Sequence, residues 1–444
     1  MTSRVVFTPL NGGNGCSVLS AAPAPDLAAA GYSDAEFAVS GSVAGVTDSG
    51  PVDAAEFTTR VIVRRPASTD GFNGILVVEW LNVSSGTDAA PEYSYLAEEL
   101  VRGGYAWAGV SAQYIGVEGG AGSVGLADDR PQSLAGKDPE RYGALHHPGD
   151  AYCYDIFRSV GSALRSVHDA SHPLAGLDIS HVLAIGESQS AMALTTYVTA
   201  FDADEVFDGY FIHSRAAARL PLGTVGAGID VGETFGGATV TIPDDFAKPV
   251  FTIETETDVL TNFQFHRARQ DDSSRRRTWE LAGTAHADLF QIGPFEDYLG
   301  SPEPVNRGQQ RFALRAALAH ARAWVADGVE PPTAPALELS GDGDDAAFVT
   351  DEIGNVRGGV RAPCVDAPTQ VLTGVVENPV SRIHLLFGAT AQIEPAVLMK
   401  RYGSVESYLD HYRAAVDEAI AEGFALEADR DELMADAHPE LVSG

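Results

Sequence analysis

An apolar run, His181-Val-Leu-Ala-Ile185, leads directly into Gly186-Glu187-Ser188-Gln189-Ser190, and a helical pattern begins at Ala191. A strand that must turn at once into a helix leaves few conformations open at the residue between them. The chain predicts that residue to be Ser188, at the tip of a tight turn with its hydroxyl lifted to the sheet edge. The backbone N–H groups that open the following helix have no partner within the helix and face the same place. A serine held so can attack a carbonyl carbon while adjacent amides hold the resulting oxyanion. The usual elbow reads Gly-x-Ser-x-Gly. Here Ser190 is the small residue where strand and helix pass closely.

Two partners follow downstream. Pro249-Val-Phe-Thr-Ile253 predicts a buried strand that ends in Glu254-Thr-Glu-Thr-Asp258. Thr278-Trp-Glu-Leu-Ala282 predicts another, ending in Gly283-Thr-Ala-His286. Serine, acid and histidine, each after a strand and in that chain order, form the α/β-hydrolase arrangement of a nucleophile, an orienting carboxylate and a general base. Ser188 is therefore the expected nucleophile and His286 its base. Asp258 is the preferred acid because it stands a few residues past its strand. Glu256 is the alternative, since a longer side chain compensates for its position. Gln189, directly after the nucleophile, supplies one oxyanion N–H by position. The second is expected from the turn after Gly74–Asn82, at Val83 or a neighbour, although no His-Gly-Gly run stands there. Asn82 either fixes that turn or donates directly. His213-Ser214-Arg215 closes a further predicted strand. His213 and Arg215 are candidates for substrate contact, with a structural salt bridge the commoner fate of such an arginine. His146 and His147 lie in a long loop, where a surface role is the default.

The remaining pattern is of strands alternating with helices. Ala35–Val46 and Phe57–Val63 read as an opening pair of strands, Gly74–Asn82 and Tyr105–Ser111 as two more, and Phe207–His213 as another. Tyr93, Leu96, Ala97, Leu100 and Val101 share one helix face, with Pro91 at its start and Gly103-Gly104 past its end. Cys153, Ile156, Phe157, Val160 and Leu164 make a second amphipathic helix, and Ala191, Leu194, Val198 and Phe201 a third. Leu314, Leu318, Ala321 and Val325 close the core. This order predicts an α/β fold with a mostly parallel central sheet and helices on both faces. Ligands in such sheets sit at the carboxyl ends of the strands. Residues 1–330 are expected to form the core, with lid-like insertions at about 113–149 and 216–247. Residues 331–444 are expected to be an extension packed on that core, ending in a helix marked by Val405, Leu409, Tyr412, Val416 and Ala419.

Composition narrows the function. The chain has 444 residues, 45% of them apolar, and a formal charge of −33. So acidic a surface disfavours nucleic acid and anionic membrane as partners. Three cysteines, Cys16, Cys153 and Cys364, are too few and too widely spaced for a disulfide framework or a zinc site. The Asp342–Asp345 run lacks the glycine and glutamate spacing of a calcium loop. No Gly-x-Gly-x-x-Gly turn or P-loop occurs. Neither metal nor cofactor is expected. Met1–Leu10 has no apolar leader and no stretch reaches the ~18 apolar residues of a membrane span, so the expected location is cytoplasmic.

Several runs together carry a resemblance: Gly31-Tyr32-Ser-Asp-Ala-Glu36-Phe-Ala-Val-Ser-Gly41, Val78-Glu79-Trp80-Leu81-Asn82, Gly186-Glu-Ser-Gln-Ser190, His213-Ser214-Arg215, Glu256-Thr-Asp258 and Gly354-Asn-Val-Arg-Gly-Gly-Val-Arg361. In these the chain resembles the large "α/β hydrolase domain" proteins of bacteria over nearly its whole length. The Ser-Gln-Ser elbow is similar to that family's own form. The resemblance implies serine-hydrolase chemistry and the C-terminal extension, and implies no substrate. The expected activity is hydrolysis of a carboxylic ester of a small or medium-sized molecule through an acyl-enzyme. The same groups would serve lactone or amide hydrolysis or acyl transfer, and a catalytically silent binding scaffold is the rival from another class.

Overall fold

The computed structural model describes residues 5–20, 25–123, 132–166, 169–201, 206–381 and 383–443. The chain divides into two compact units. The first comprises Met1–Val250 with Val325–Gly328, the second Phe251–Trp324 with Val329–Gly444.

In the first unit, β1 (Val6–Pro9) pairs antiparallel with β2 (Tyr32–Thr47), which forms a long hairpin with β3 (Gly50–Pro66). The hairpin runs from Tyr32↔Pro66 to Thr47↔Gly50, with an irregularity between Val43 and Gly45. Gly45 has a steric reason, because a Cβ there would lie 2.7 Å from the Tyr152 ring. β4 (Ile75–Trp80), β5 (Ala106–Val110), β6 (His181–Glu187) and β7 (Gly209–His213) follow, in the spatial order β1-β2-β3-β5-β4-β6-β7. β3 meets β5 antiparallel, and from β5 through β4 and β6 to β7 every pairing is parallel. The expected parallel sheet is thus preceded by an antiparallel hairpin.

β4 and β5 are buried along their whole length, as a continuous apolar run in a parallel sheet requires. Helices α1 (Pro91–Arg102), α5 (Cys153–Arg165) and α6 (Gln189–Ala200) pack on these strands, α1 against β6, α5 against β2 and β4, α6 against β6 and β7. α1 starts with proline at its first position, where a missing N–H costs nothing. The segment expected as an irregular loop at 113–149 contains α2 (Tyr114–Glu118), α3 (Leu134–Lys137) and α4 (Pro139–Tyr142). Its residues 124–131 lie outside the described residues. Helices of four or five residues have no periodicity to read, so the pattern passed over them. Within 216–247 the regular element is one turn of 3₁₀ helix, Val231–Thr234.

In the second unit β8 (Val250–Thr255) and β9 (Arg276–Leu281) are neighbours. α7 (Glu256–Leu260) follows β8 without a break, and the short α8 (Leu289–Ile292) and α9 (Glu296–Leu299) precede α10 (Gln310–Asp327). Residues 329–444 build this unit jointly with 251–324. Phe312 of α10 shares a core with Leu398, Tyr408, Tyr412, Val416 and Leu433. Arg315 reaches Asp429 at 3.0 Å with both side chains buried. Among the described residues no helix is long and apolar enough to cross a membrane.

Candidate functional site

Ser188 stands between the last residue of β6 and the first of α6, at φ 63° and ψ −121°. A non-glycine residue at positive φ is strained by contact between Cβ and backbone, at a cost of roughly 1–3 kcal/mol. It persists only where the surroundings over-determine it. Here Ser188 N–H donates to His213 O at 2.9 Å, and Ser188 O accepts the Met192 N–H at 3.0 Å as the first bond of α6. Gly186 admits the turn: a Cβ there would sit 2.9 Å from Ser190 Cβ and 3.0 Å from its carbonyl carbon. The glycine and the small Ser190 are therefore two halves of one steric requirement.

The loop after β4 is tied to this elbow by side chains. Asn82 Nδ2 donates to Glu187 O at 3.1 Å while its Oδ1 accepts the Ser84 N–H at 2.8 Å. The Val83 N–H, expected as an oxyanion donor, is directed at Gln189 Oε1, 3.3 Å away. His213 is fully buried, its Nδ1 2.9 Å from Glu92 Oε2, which is equally buried. Arg215 is buried too, donating Nε to Ala216 O at 3.1 Å and Nη2 to Val240 O at 2.5 Å. His146 is exposed beside Glu118, 3.4 Å away. His147 is buried, its ring nitrogen 2.9 Å from Ala112 O, and burial lowers its pKa to about 4. A buried carboxyl also lies near the end of β4: Glu79, next to its last residue, accepts from Trp107 Nε1 at 2.9 Å and from the Tyr93 N–H at 3.1 Å. Burial, with Glu92 nearby, pushes it well above the usual carboxylate range.

In the second unit Asp258 and His286 meet. Thr255 caps α7, and Asp258 closes the capping box: its Oδ2 accepts the Thr255 N–H at 2.8 Å and the Thr255 hydroxyl at 2.6 Å. That leaves Oδ1, which lies 2.6 Å from His286 Nδ1. A carboxylate only accepts, so Nδ1 carries the proton and the exchangeable chemistry falls to Nε2. The His286 N–H donates to Thr257 Oγ1 at 3.1 Å, and the Phe263 ring lies 4.6 Å away, centroid to centroid. Glu256 turns elsewhere. Its two oxygens accept the N–H groups of Gly283 at 2.6 Å and Gly374 at 2.8 Å. Burial raises it to about 7. Thr257 Oγ1 donates to Gly374 O at 2.6 Å, so Gly374 is gripped at both its N–H and its C=O.

Sequence reading passed over Gln113, Glu92, Thr255 and Gly374. Only Thr255 left a signal, the Thr-x-x-acid spacing of a capping box just before a helix start. Among the described residues no group of three or more His, Cys, Asp or Glu side chains is placed to hold a metal ion.

The family model described as "Alpha/beta hydrolase domain" matches residues 6–435. No curated protein matches the chain. Among solved structures the chain is similar to a fungal esterase from Rhizomucor miehei, at 11% identity and TM-score 0.36, over 67% of this chain and 85% of that one. It is also similar to a thermostable esterase from Pseudomonas putida, at 12% identity and TM-score 0.33, over 69% and 85%. A third is a lidless α/β serine hydrolase from Xanthomonas campestris, at 14% identity and TM-score 0.32, over 64% and 93%.

Proposed function

This chain belongs to the alpha/beta hydrolase domain family, and on that premise we propose that it is a serine carboxylic-ester hydrolase acting on a small or medium-sized ester. The observation that carries the reading is Ser188 in a strained turn between a strand end and a helix start, at φ 63°. Ser188 Oγ attacks the ester carbonyl and passes its proton to His286 Nε2. The C–O bond to the alcohol breaks, and the alcohol leaves with that proton. Water, deprotonated by His286, then cleaves the acyl-serine ester and releases the acid. Asp258 holds the imidazole by Nδ1 and stabilises the imidazolium. The Gln189 N–H, directly after the nucleophile, is one oxyanion donor.

Intact-mass measurement after exposure to a fluorophosphonate tests this. One adduct on the wild type and none on Ser188→Ala is the expected result, with turnover of a short-chain ester falling on the order of 10⁶ in the variant. Wild-type turnover by Ser188→Ala would end the proposal.

A further inference from the structure

Behind the elbow, four side chains of the first unit, all fully buried, form one polar chain: Trp80, Gln113, Gln189 and Asp150. Trp80 Nε1 donates to Gln113 Oε1 at 2.9 Å, and Gln189 Nε2 donates to the same oxygen at 2.5 Å. Gln113 Nε2 points at Asp150 Oδ2, 3.4 Å away. Gln189 Oε1 takes the Val83 N–H. The directions are forced from both ends, since an indole N–H only donates and a carboxylate only accepts. Gln113 must therefore turn its oxygen to Trp80 and its nitrogen to Asp150. Gln189 must then turn its nitrogen to Gln113, which aims its oxygen at Val83. Asp150 is anchored in turn, accepting the N–H groups of Tyr114 at 2.6 Å and Ile229 at 2.8 Å. These two residues belong to the two segments read from the sequence as insertions.

We propose that Gln113 is a positioning residue for ester hydrolysis: it orients the Gln189 side chain and, through it, holds the Val83 backbone against the nucleophile's turn. This rests on the esterase reading above. Gln113 touches no reacting atom. It acts on the residue whose backbone N–H follows the nucleophile and on the loop after β4, which Asn82 also ties to the elbow. A chain with a defined donor direction at every link has one low-energy arrangement, which is what a pre-organised site requires.

Two variants test it. Gln113→Leu removes every link at that position while remaining buried and apolar. The expected result is a kcat lower by about ten- to a hundredfold, the scale of a small misplacement of catalytic groups, with KM little changed and the fluorophosphonate endpoint still one adduct per chain. Gln113→Glu keeps both acceptor contacts, to Trp80 and Gln189, but sets a second acceptor against Asp150. A proton shared between the two carboxyls restores the link. The ratio of variant to wild-type kcat should then rise as pH falls from about 8 to about 6, the pH to which burial raises Asp150. Cys153 and Tyr154 of α5 feel the charge of Asp150, and both are raised by burial and neutral across that range. Dividing by the wild type removes the titration of His286. A folded Gln113→Leu protein with wild-type kcat, or with only KM changed, overturns the proposal. So does a flat pH ratio for Gln113→Glu, which decides alone if the leucine variant fails to fold. A wild type that takes no adduct fails the esterase reading instead and removes this proposal with it.

Discussion

At Asp258 and Glu256, two carboxyls two residues apart have opposite surroundings. Asp258 is held by a capping box and faces His286 Nδ1, and Glu256 accepts two glycine N–H groups. Their variants should therefore fail differently. Asp258→Asn is expected to lower kcat by roughly 10⁴ by disturbing the imidazole tautomer, the loss measured for the corresponding change in serine proteases. Steady-state kinetics with ester saturating will read it. Glu256→Gln acts on stability. The folded Glu256 titrates at about 7, above its unfolded value, so its contribution is fully present below pH ~4.5 and is lost as pH rises through about 7. Urea melts of both proteins should show the glutamine variant gaining on the wild type, on the order of 3 kcal/mol, between pH 4.5 and 8. A pH-independent difference would remove Glu256 as the titrating group.

At the scale of elements, the elbow depends on two small residues. Gly186→Ala places a methyl 2.9 Å from Ser190 Cβ, with backbone behind it that cannot yield. A cost of about 1–3 kcal/mol is expected, seen as a lower melting temperature together with slower fluorophosphonate labelling. Unchanged values of both would mean that the elbow relaxes freely. The main helices and strands were legible because their apolar positions repeat with a period of 3.6 or form unbroken buried runs. α7 was not: five residues starting straight from a strand end read as a loop carrying acids. Nor was β1, whose four residues are mostly exposed.

For the molecule as a whole, residues 329–444 supply structure to the second unit. Arg315 on α10 is buried against Asp429. Truncating one partner of a buried pair costs up to about 3–5 kcal/mol, the full loss applying where no second counter-charge remains. Asp429→Ala in the full chain should shift the denaturant midpoint accordingly, and an unchanged midpoint would show that Glu432, 2.6 Å from the same guanidinium, suffices. What the sequence determined by itself was local: a serine between a strand and a helix, an acid and a histidine each closing a strand, and the α/β order of elements. Those features are written in residues next to one another, where turn sterics and side-chain period act. Only the tertiary structure decided which carboxyl meets His286, because Glu256 and Asp258 are nearly equivalent in pattern and differ by the phase of α7 and by the N–H of Gly374, 118 residues away. It also decided that Gln189 turns its side chain to Gln113, 76 residues away. Hydrogen bonds between buried groups distant in the chain leave no period in the sequence, and only folding brings their donors and acceptors within reach.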